Sequence, residues 1–198
     1  MRSPLFLCLS STVILASLVA CGGETPPPAV APAPSASAAP TPPPTPTTAS
    51  GTPESDKVTW KKDSTPKNCH TAKPVGDYTA AVTAMAKTCV GATMHQLGAA
   101  TTGTGQASTS SMVTTIPLQA KANHCYRIFG LADSSVADFD IAVMDSAGKS
   151  AGEDGTDGND AIALEDGSIC FKVDDTANVN TAVASGQGKF AVEIWSDQ

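Results

Sequence analysis

The amino-acid sequence predicts a mainly β protein, an antiparallel β-sandwich or jelly roll preceded by a short disulfide-tied α-helical region. Apolar and polar residues alternate with a period of two at residues 139–143, 169–173 and 190–194, which is the pattern of half-buried strands. Turn-forming stretches separate such segments, among them 146–149 and 185–188. Roughly seven or eight short strands in one region are typical of a sandwich. Four cysteines in the part of the chain that can fold add a disulfide framework.

Residues 1–20 are predicted to be a signal peptide. A short positive start, Met1-Arg2, precedes an apolar stretch from residue 5 to residue 19. This stretch is too short and too rich in serine and threonine for a membrane-spanning helix, but it suits the core of an export signal.

The signal peptide ends in Leu18-Val19-Ala20, and Cys21 follows, with two glycines after it. This stretch resembles the lipobox of bacterial lipoproteins. The resemblance implies that Cys21 is acylated, carrying a diacylglycerol and palmitate-like chains, and becomes the N-terminus of a protein held at the outer membrane. Two or three acyl chains bind a membrane durably, whereas one gives only marginal binding. The alternative is an ordinary signal peptide with a coincidental cysteine.

Residues 21–56 are predicted to be a disordered linker that begins at the lipidated Cys21. Eleven of the fifteen prolines lie between residues 22 and 56, among alanines, threonines and serines. Proline removes backbone donors, and no large side chains are present to bury, so the segment stays solvated and extended. At about 3.1 Å per residue it could reach on the order of 100 Å. We therefore interpret it as a stalk between the membrane and the folded part.

The remaining cysteines are expected to form two disulfides, because an even number in an exported chain indicates oxidation. After removal of the signal peptide and acylation of Cys21, four remain: Cys69, Cys89, Cys125 and Cys170. Three pairings are open, and we favour Cys69–Cys89 with Cys125–Cys170, since each pair then lies within one region. A zinc site built from Cys69, His70 and Cys89 is disfavoured, because the spacing fits no compact Cys/His ligand pattern.

Residues 57–110 are predicted to be a helical region. Asp77 is a suitable N-cap, and an apolar stripe follows it at helical spacing: Tyr78, Val82, Met85 and Cys89. The stripe predicts a helix that docks against the second region of the chain. Residues 103–111 are rich in glycine, serine and threonine, and we expect them to form a polar linker.

Residues 111–198 are predicted to be the β-sandwich domain. Its most distinctive segments are Cys125-Tyr126-Arg127, Asp138-Phe139-Asp140, Asp145-Ser146-Ala147-Gly148, Asp166-Gly167 with Cys170-Phe171, and Gly186-Gln187-Gly188-Lys189-Phe190-Ala191. Together these segments resemble the bacterial pre-peptidase C-terminal domain over roughly residues 112–197. The resemblance implies a small secreted sandwich of the kind appended to exported enzymes or lipoproteins, some of which bind calcium.

The charge distribution predicts a calcium site in the second region. The whole chain carries 12 basic and 19 acidic residues, which argues against a nucleic-acid binder, and the excess of acidic residues is concentrated after residue 120. Carboxylates on one strand and on the loop after it would repel one another unless a hard cation neutralised them. The candidate ligands are Asp138, Asp140, Asp154, Asp157 and Asp160. The alternative is a set of solvated carboxylates in turns.

The sequence favours a non-catalytic role. The histidines, His70, His95 and His124, lie in no nucleophile or metal motif, and neither G-x-S-x-G nor H-E-x-x-H occurs. Four large aromatic residues are expected to pack in the core or at a seam: Trp60, Tyr78, Tyr126 and Trp195. The alternative for Tyr126 is a place in a collagen- or glycan-binding face.

We therefore expect a non-catalytic lipoprotein of the bacterial cell envelope. It would present a sandwich, stabilised by calcium, to an envelope or extracellular protein or glycan. The alternative function is a small secreted hydrolase or an accessory subunit of an exported peptidase.

Overall fold

The computed structural model describes residues 53–62, 69–71, 77–107 and 113–198. The predictions for the signal peptide, for Cys21 and for nearly all of the Pro-rich linker lie outside these residues. Within them, no helix has both the length and the apolar character needed to cross a membrane.

The described residues form a mainly β structure with a single α-helix, as the sequence predicts. The helix is α1 (Tyr78–Cys89), and a short 3-10 turn covers Cys69–Thr71. The strands are β1 (Val58–Lys62), β2 (His95–Gln96), β3 (Thr101–Gln106), β4 (Thr114–Ala120), β5 (Cys125–Ala132), β6 (Val136–Met144), β7 (Ser150–Glu153), β8 (Asp160–Ala163), β9 (Gly167–Phe171) and β10 (Asp175–Ser196).

The strands make two antiparallel sheets that share β10. In the first sheet the order is β1, β9, β5, the C-terminal half of β10, and β3, with β8 beside β5 and β2 beside the end of β10. In the second sheet the order is β4, the N-terminal half of β10, β6 and β7. Because β10 runs through both sheets, the strands close into an arrangement that is nearly a barrel.

The expected turn at residues 185–188 is absent, and this prediction was wrong. The chain continues as β10, and its pairing with β6 shifts register on both sides of Ser185. Gly186 has a positive φ of 90°, a conformation that glycine adopts without a steric penalty. The glycine-rich stretch therefore bends one long strand from the second sheet into the first instead of ending it.

A hydrophobic core fills the space between the two sheets and confirms the predicted alternation. Phe139, Ile141 and Val143 are buried, while the residues between them are more exposed. Phe139 and Phe190 come from different sheets, and their ring centroids are 5.0 Å apart. Each fully buried side chain of this size contributes about 1.5–3 kcal/mol relative to exposure, so this core is the main stabilising feature of the sandwich.

Helix α1 begins and packs as predicted. The side chain of Asp77 accepts a hydrogen bond from the backbone N–H of Thr79 at 2.9 Å, which satisfies a free donor of the first turn. The buried stripe of the helix packs on the outer face of the first sheet, where a second apolar cluster includes Phe129, Leu131 and Trp195. Two sheets and one helix therefore form three layers with two cores.

Both disulfides of the favoured pairing are present, Cys69–Cys89 and Cys125–Cys170. The first joins the 3-10 turn to the last residue of α1. The second joins directly opposed residues of β5 and β9.

Residues 101–106 form strand β3, so the prediction of a polar linker at 103–111 was wrong for this part of it. The glycines of β3 allow side chains of β10 to pack closely against this strand. A Cβ at Gly103 would lie 2.4 Å from Cζ of Phe190, and one at Gly105 would lie 2.5 Å from Cγ2 of Val183. Strands β1, β2 and β3, which precede residue 111, all pair with strands that follow it.

Candidate functional site

The predicted acidic residues gather along β6 and the loop that follows β7. Asp138 and Asp140 lie on the face of β6 opposite the buried Phe139. The loop folds against this strand, because the N–H of Phe139 donates to the carbonyl of Gly158 at 2.7 Å. The N–H of Asp154 donates to the carbonyl of Ile141 at 2.8 Å. We call this region, defined by Asp138, Asp140, Asp154 and Asp157, the acidic corner.

Among the described residues, no basic side chain forms an ion pair with the four carboxylates of the acidic corner. Partial burial, together with the nearby charges of Asp138 and Asp157, raises the pKa of Asp140 to about 6. Burial also raises the pKa of Asp154 to about 6, although hydrogen bonds from Thr156 act in the opposite direction. Within the described part of the chain, Oδ1 of Asp138 and Oδ2 of Asp154 are buried and have no hydrogen-bond partner.

Asp160 is held by a histidine that the sequence did not connect with it. Oδ2 of Asp160 lies 2.8 Å from Nδ1 of His70, and Nε2 of His70 lies 3.3 Å from Oε1 of Glu165. The hydrogen bond to Asp160 raises the pKa of His70 above its usual value, although burial acts against it. This contact fastens the 3-10 turn beside Cys69 to the start of β8. Nothing in the sequence could have revealed it, because the two residues are far apart in the chain.

The donor types of the acidic corner suit calcium, which takes six to eight oxygen ligands, but the side chains are not gathered around one point. Among the residues that the structure describes, no three histidine, cysteine, aspartate or glutamate side chains are placed to hold a metal ion together. In the described part of the chain the corner is therefore a set of carboxylates without ion-pair partners, and an ion would have to draw its ligands closer together.

The acidic corner should make the protein less stable as the pH rises. Because Asp140 and Asp154 have a pKa of about 6 in the folded chain and about 4 when unfolded, the folded state binds more protons between these values. Stability contributed by this region therefore falls as the pH rises through that window. We expect Asp140→Asn to raise the melting temperature by about 2–4 °C at neutral pH and to flatten its decrease between about pH 4 and pH 6.

Calorimetry of both proteins across this pH range checks the prediction, and Asp133→Asn is the matched control. A hydrogen bond from Ser135 lowers the pKa of Asp133, so this substitution should destabilise the protein instead. A lower melting temperature for Asp140→Asn than for the unaltered chain at neutral pH would contradict the interpretation.

Two buried charged residues that sequence reasoning missed hold α1 on the first sheet. Arg127 is 1% exposed, and its guanidinium donates to the carbonyls of Cys89 at 2.6 Å and Glu165 at 3.2 Å. Glu193 is also 1% exposed and accepts from the hydroxyl of Thr83 and from Nε1 of Trp195, the latter at 2.9 Å. Both residues lie on the face of the sheet that α1 covers, so their charges serve the docking of the helix.

Of the aromatic residues expected in the core or at a seam, Tyr126 is buried as expected and Trp60 is not. Tyr126 is fully buried, its hydroxyl accepts from the backbone N–H of Lys121 at 2.7 Å, and its ring meets Phe171 edge to face. It therefore cannot form a collagen- or glycan-binding face. Trp60, expected in a core or seam, is 46% exposed on β1. The prediction for Trp60 was wrong because β1 is an edge strand whose residues after Val58 are all exposed.

The resemblance to the pre-peptidase C-terminal domain stays a prediction, because comparison with known proteins does not test it. No protein-family model matches this chain, and no curated protein is detectably similar to it.

Proposed function

We propose that this chain is a non-catalytic lipoprotein of the bacterial cell envelope. Acylated Cys21 anchors it in the outer membrane, and the Pro-rich linker presents the sandwich as a binding or structural module. The observation that supports the proposal is that the buried charged side chains form structural contacts. Arg127, Glu193 and Asp145 each form a hydrogen bond that joins one element of the fold to another: Arg127 to the end of α1, Glu193 to Thr83 of α1, and Asp145 to Ser55 before β1.

The point where the linker enters the fold supports a tether that can bear load. The hydroxyl of Ser55 donates to the buried carboxylate of Asp145 at 2.6 Å, and the N–H of Ser55 donates to the carbonyl of Ser150. Lys57 forms an ion pair with Asp175 at 2.9 Å. Ser55 and Lys57 precede β1 in the chain, and their partners lie in or beside the second sheet. A force transmitted through the linker would therefore act on the second sheet before it acted on the edge strand β1.

The tether is tested by Cys21→Ser in the full chain. We expect the unaltered protein to sediment with membranes and to incorporate a labelled fatty acid, and the variant to lose both properties, because the acyl chains supply about 0.8 kcal/mol per buried methylene. Cys8→Ser, within the signal peptide, is the control and should change neither. Retention of the label by the Cys21 variant would contradict the anchor.

The alternative function, a small hydrolase or an accessory subunit of a peptidase, is distinguished by activity. The full chain is assayed against peptide, ester and glycoside substrates. Turnover that a single carboxylate substitution abolishes would favour the hydrolase, and stimulation of an exported peptidase would favour the accessory subunit.

We also propose that calcium stabilises the acidic corner. The support is a pair of buried carboxylate oxygens, on Asp138 and Asp154, that have no hydrogen-bond partner among the described residues, together with the raised pKa of Asp140 beside them. A divalent cation would relieve this repulsion directly.

Melting in calcium, magnesium or chelator tests the proposal. At neutral pH we expect calcium to raise the melting temperature by about 2–5 °C, because a ligand that binds only the folded state stabilises it. Magnesium should have less effect, since it demands stricter geometry. Asp154→Asn should abolish the shift, and an unchanged midpoint with the unaltered chain would exclude calcium binding.

A further inference from the structure

A cleft lies between α1 and the segment that joins β2 to β3. Its volume is about 690 Å³, and small-molecule sites in proteins typically measure roughly 300–1,000 Å³. Glu193 of β10 lines the cleft although it is only 1% exposed. The cleft therefore combines space for a small molecule with a buried carboxylate.

The carboxylate of Glu193 has fewer hydrogen-bond donors than it can accept. Nε1 of Trp195 donates to one oxygen at 2.9 Å. The other oxygen contacts the hydroxyl of Thr83, but this hydroxyl also lies 2.7 Å from the carbonyl of Thr79 and has a single hydrogen to donate. Since a carboxylate can accept about four hydrogen bonds, about two acceptor positions stay open with respect to the described residues.

The negative charge of Glu193 also lacks an ion-pair partner within the described part of the chain. Arg127 lies on the same face of the first sheet, but its guanidinium donates to the carbonyls of Cys89 and Glu165. Lys87 lines the cleft, but it is exposed to solvent. A buried carboxylate is costly without a paired cation, and a chain of net charge −7 attracts cations. The cleft therefore favours a ligand that carries a positive charge and N–H donors.

The walls of the cleft favour an organic cation over a metal ion. Glu193 is the single acidic side chain that lines the cleft, whereas calcium takes about six to eight oxygen ligands. Short apolar side chains line the rest of it and can pack on an aliphatic chain, among them Ala80, Ala84, Ala99 and Ala100.

We propose that this cleft binds a small aliphatic ammonium ion. The ammonium group donates to the open acceptor positions of Glu193, and the aliphatic chain packs on the alanine walls. The inference rests on the proposed function as a binding module and adds the chemical class of its ligand.

The test titrates the full-length chain, in nonionic detergent at neutral pH, with pentylamine. Pentanol is the uncharged ligand of matched length, and sodium chloride at equal concentration controls for ionic strength. The chain has two tryptophans, so in a Trp60→Phe background fluorescence reports on Trp195 alone, whose indole bonds to Glu193. We expect saturable binding of pentylamine, at least about tenfold tighter than that of pentanol, and calorimetry measures the same affinities.

Single substitutions locate the binding site. Glu193→Gln removes the charge with little change of shape and should weaken pentylamine binding about tenfold or more. Ala84→Leu fills the cleft, leaves the carboxylate in place, and should weaken binding by a similar factor. Ala92→Leu is the matched control, because Ala92 is exposed and does not line the cleft, and it should change the affinity less than about twofold. If Glu193→Gln fails to fold, Ala84→Leu still tests the site.

Absence of saturable pentylamine binding, or equal affinity for pentylamine and pentanol, would overturn the proposal. Binding that Glu193→Gln or Ala84→Leu leaves unchanged would also overturn it. A fluorescence change with calcium that Glu193→Gln abolishes, without binding of pentylamine, would replace the organic cation by a metal ion. Each of these results leaves fatty-acid labelling at Cys21 unaffected, so failure of the ligand class and failure of the tether are distinguishable.

Discussion

Arg127→Met is expected to lower the free energy of unfolding by about 2–4 kcal/mol. The substitution removes both hydrogen bonds from the guanidinium, so the carbonyls of Cys89 and Glu165 lose a charged donor. Removing a buried charge relieves its desolvation cost, which acts in the opposite direction. The loss of the hydrogen bonds should dominate, because the carbonyl of Cys89 lies at the buried end of α1, where water cannot replace the donor.

The measurement is denaturant unfolding of the oxidised protein at neutral pH. Lys172→Met is the matched control, because Lys172 is exposed and its replacement should change stability by less than about 0.5 kcal/mol. Hydrogen exchange of the α1 amides adds a local readout, and their protection should fall in the Arg127 variant. Equal stability of the two variants would show that Arg127 does not hold the helix.

Removal of the Cys125–Cys170 disulfide should have the larger effect of the two bridges. The disulfides span sequence separations of 45 for Cys125–Cys170 and 20 for Cys69–Cys89. In the chain-entropy account, closing these loops restricts the unfolded chain by about 4 and about 3 kcal/mol respectively. The double variants Cys125→Ala/Cys170→Ala and Cys69→Ala/Cys89→Ala should therefore be destabilised in that order.

Urea or guanidinium unfolding of the two double variants measures the difference, and the fully reduced unaltered chain is the comparison. In the Cys69→Ala/Cys89→Ala variant, the attachment of the 3-10 turn also changes. The turn loses the disulfide to α1 and keeps the contacts of His70 with Asp160 and Glu165. A larger loss of stability in Cys69→Ala/Cys89→Ala than in Cys125→Ala/Cys170→Ala would contradict this order. It would mean that the local contacts of the 3-10 turn matter more than the entropy of loop closure.

Features that depend on neighbours in the sequence were predictable. Asp77 caps α1 because an N-cap needs only its own side chain and the next two residues. The buried faces of β6 and β9 follow from the period of two. Even the disulfide pairing could be chosen correctly, because each pair lies within one region.

Features that depend on distant contacts were not predictable. The glycines of β3 are indistinguishable from those of a linker until Phe190 and Val183 are seen against them. The bend at Gly186 has the composition of a turn, but pairing with other strands on both sides of it keeps the chain extended. The acidic corner was predicted in outline, but the sequence could not tell that Asp160 binds His70.

The sequence by itself determined the period of the strands, the position of the helix, the oxidation of the cysteines and the clustering of negative charge, because each is a local property of residue type and spacing. The tertiary structure alone decided which charges are buried, which aromatic ring faces solvent, and how one long strand serves two sheets. These depend on which segments pack together, and the free energy of packing depends on contacts between residues far apart in the chain.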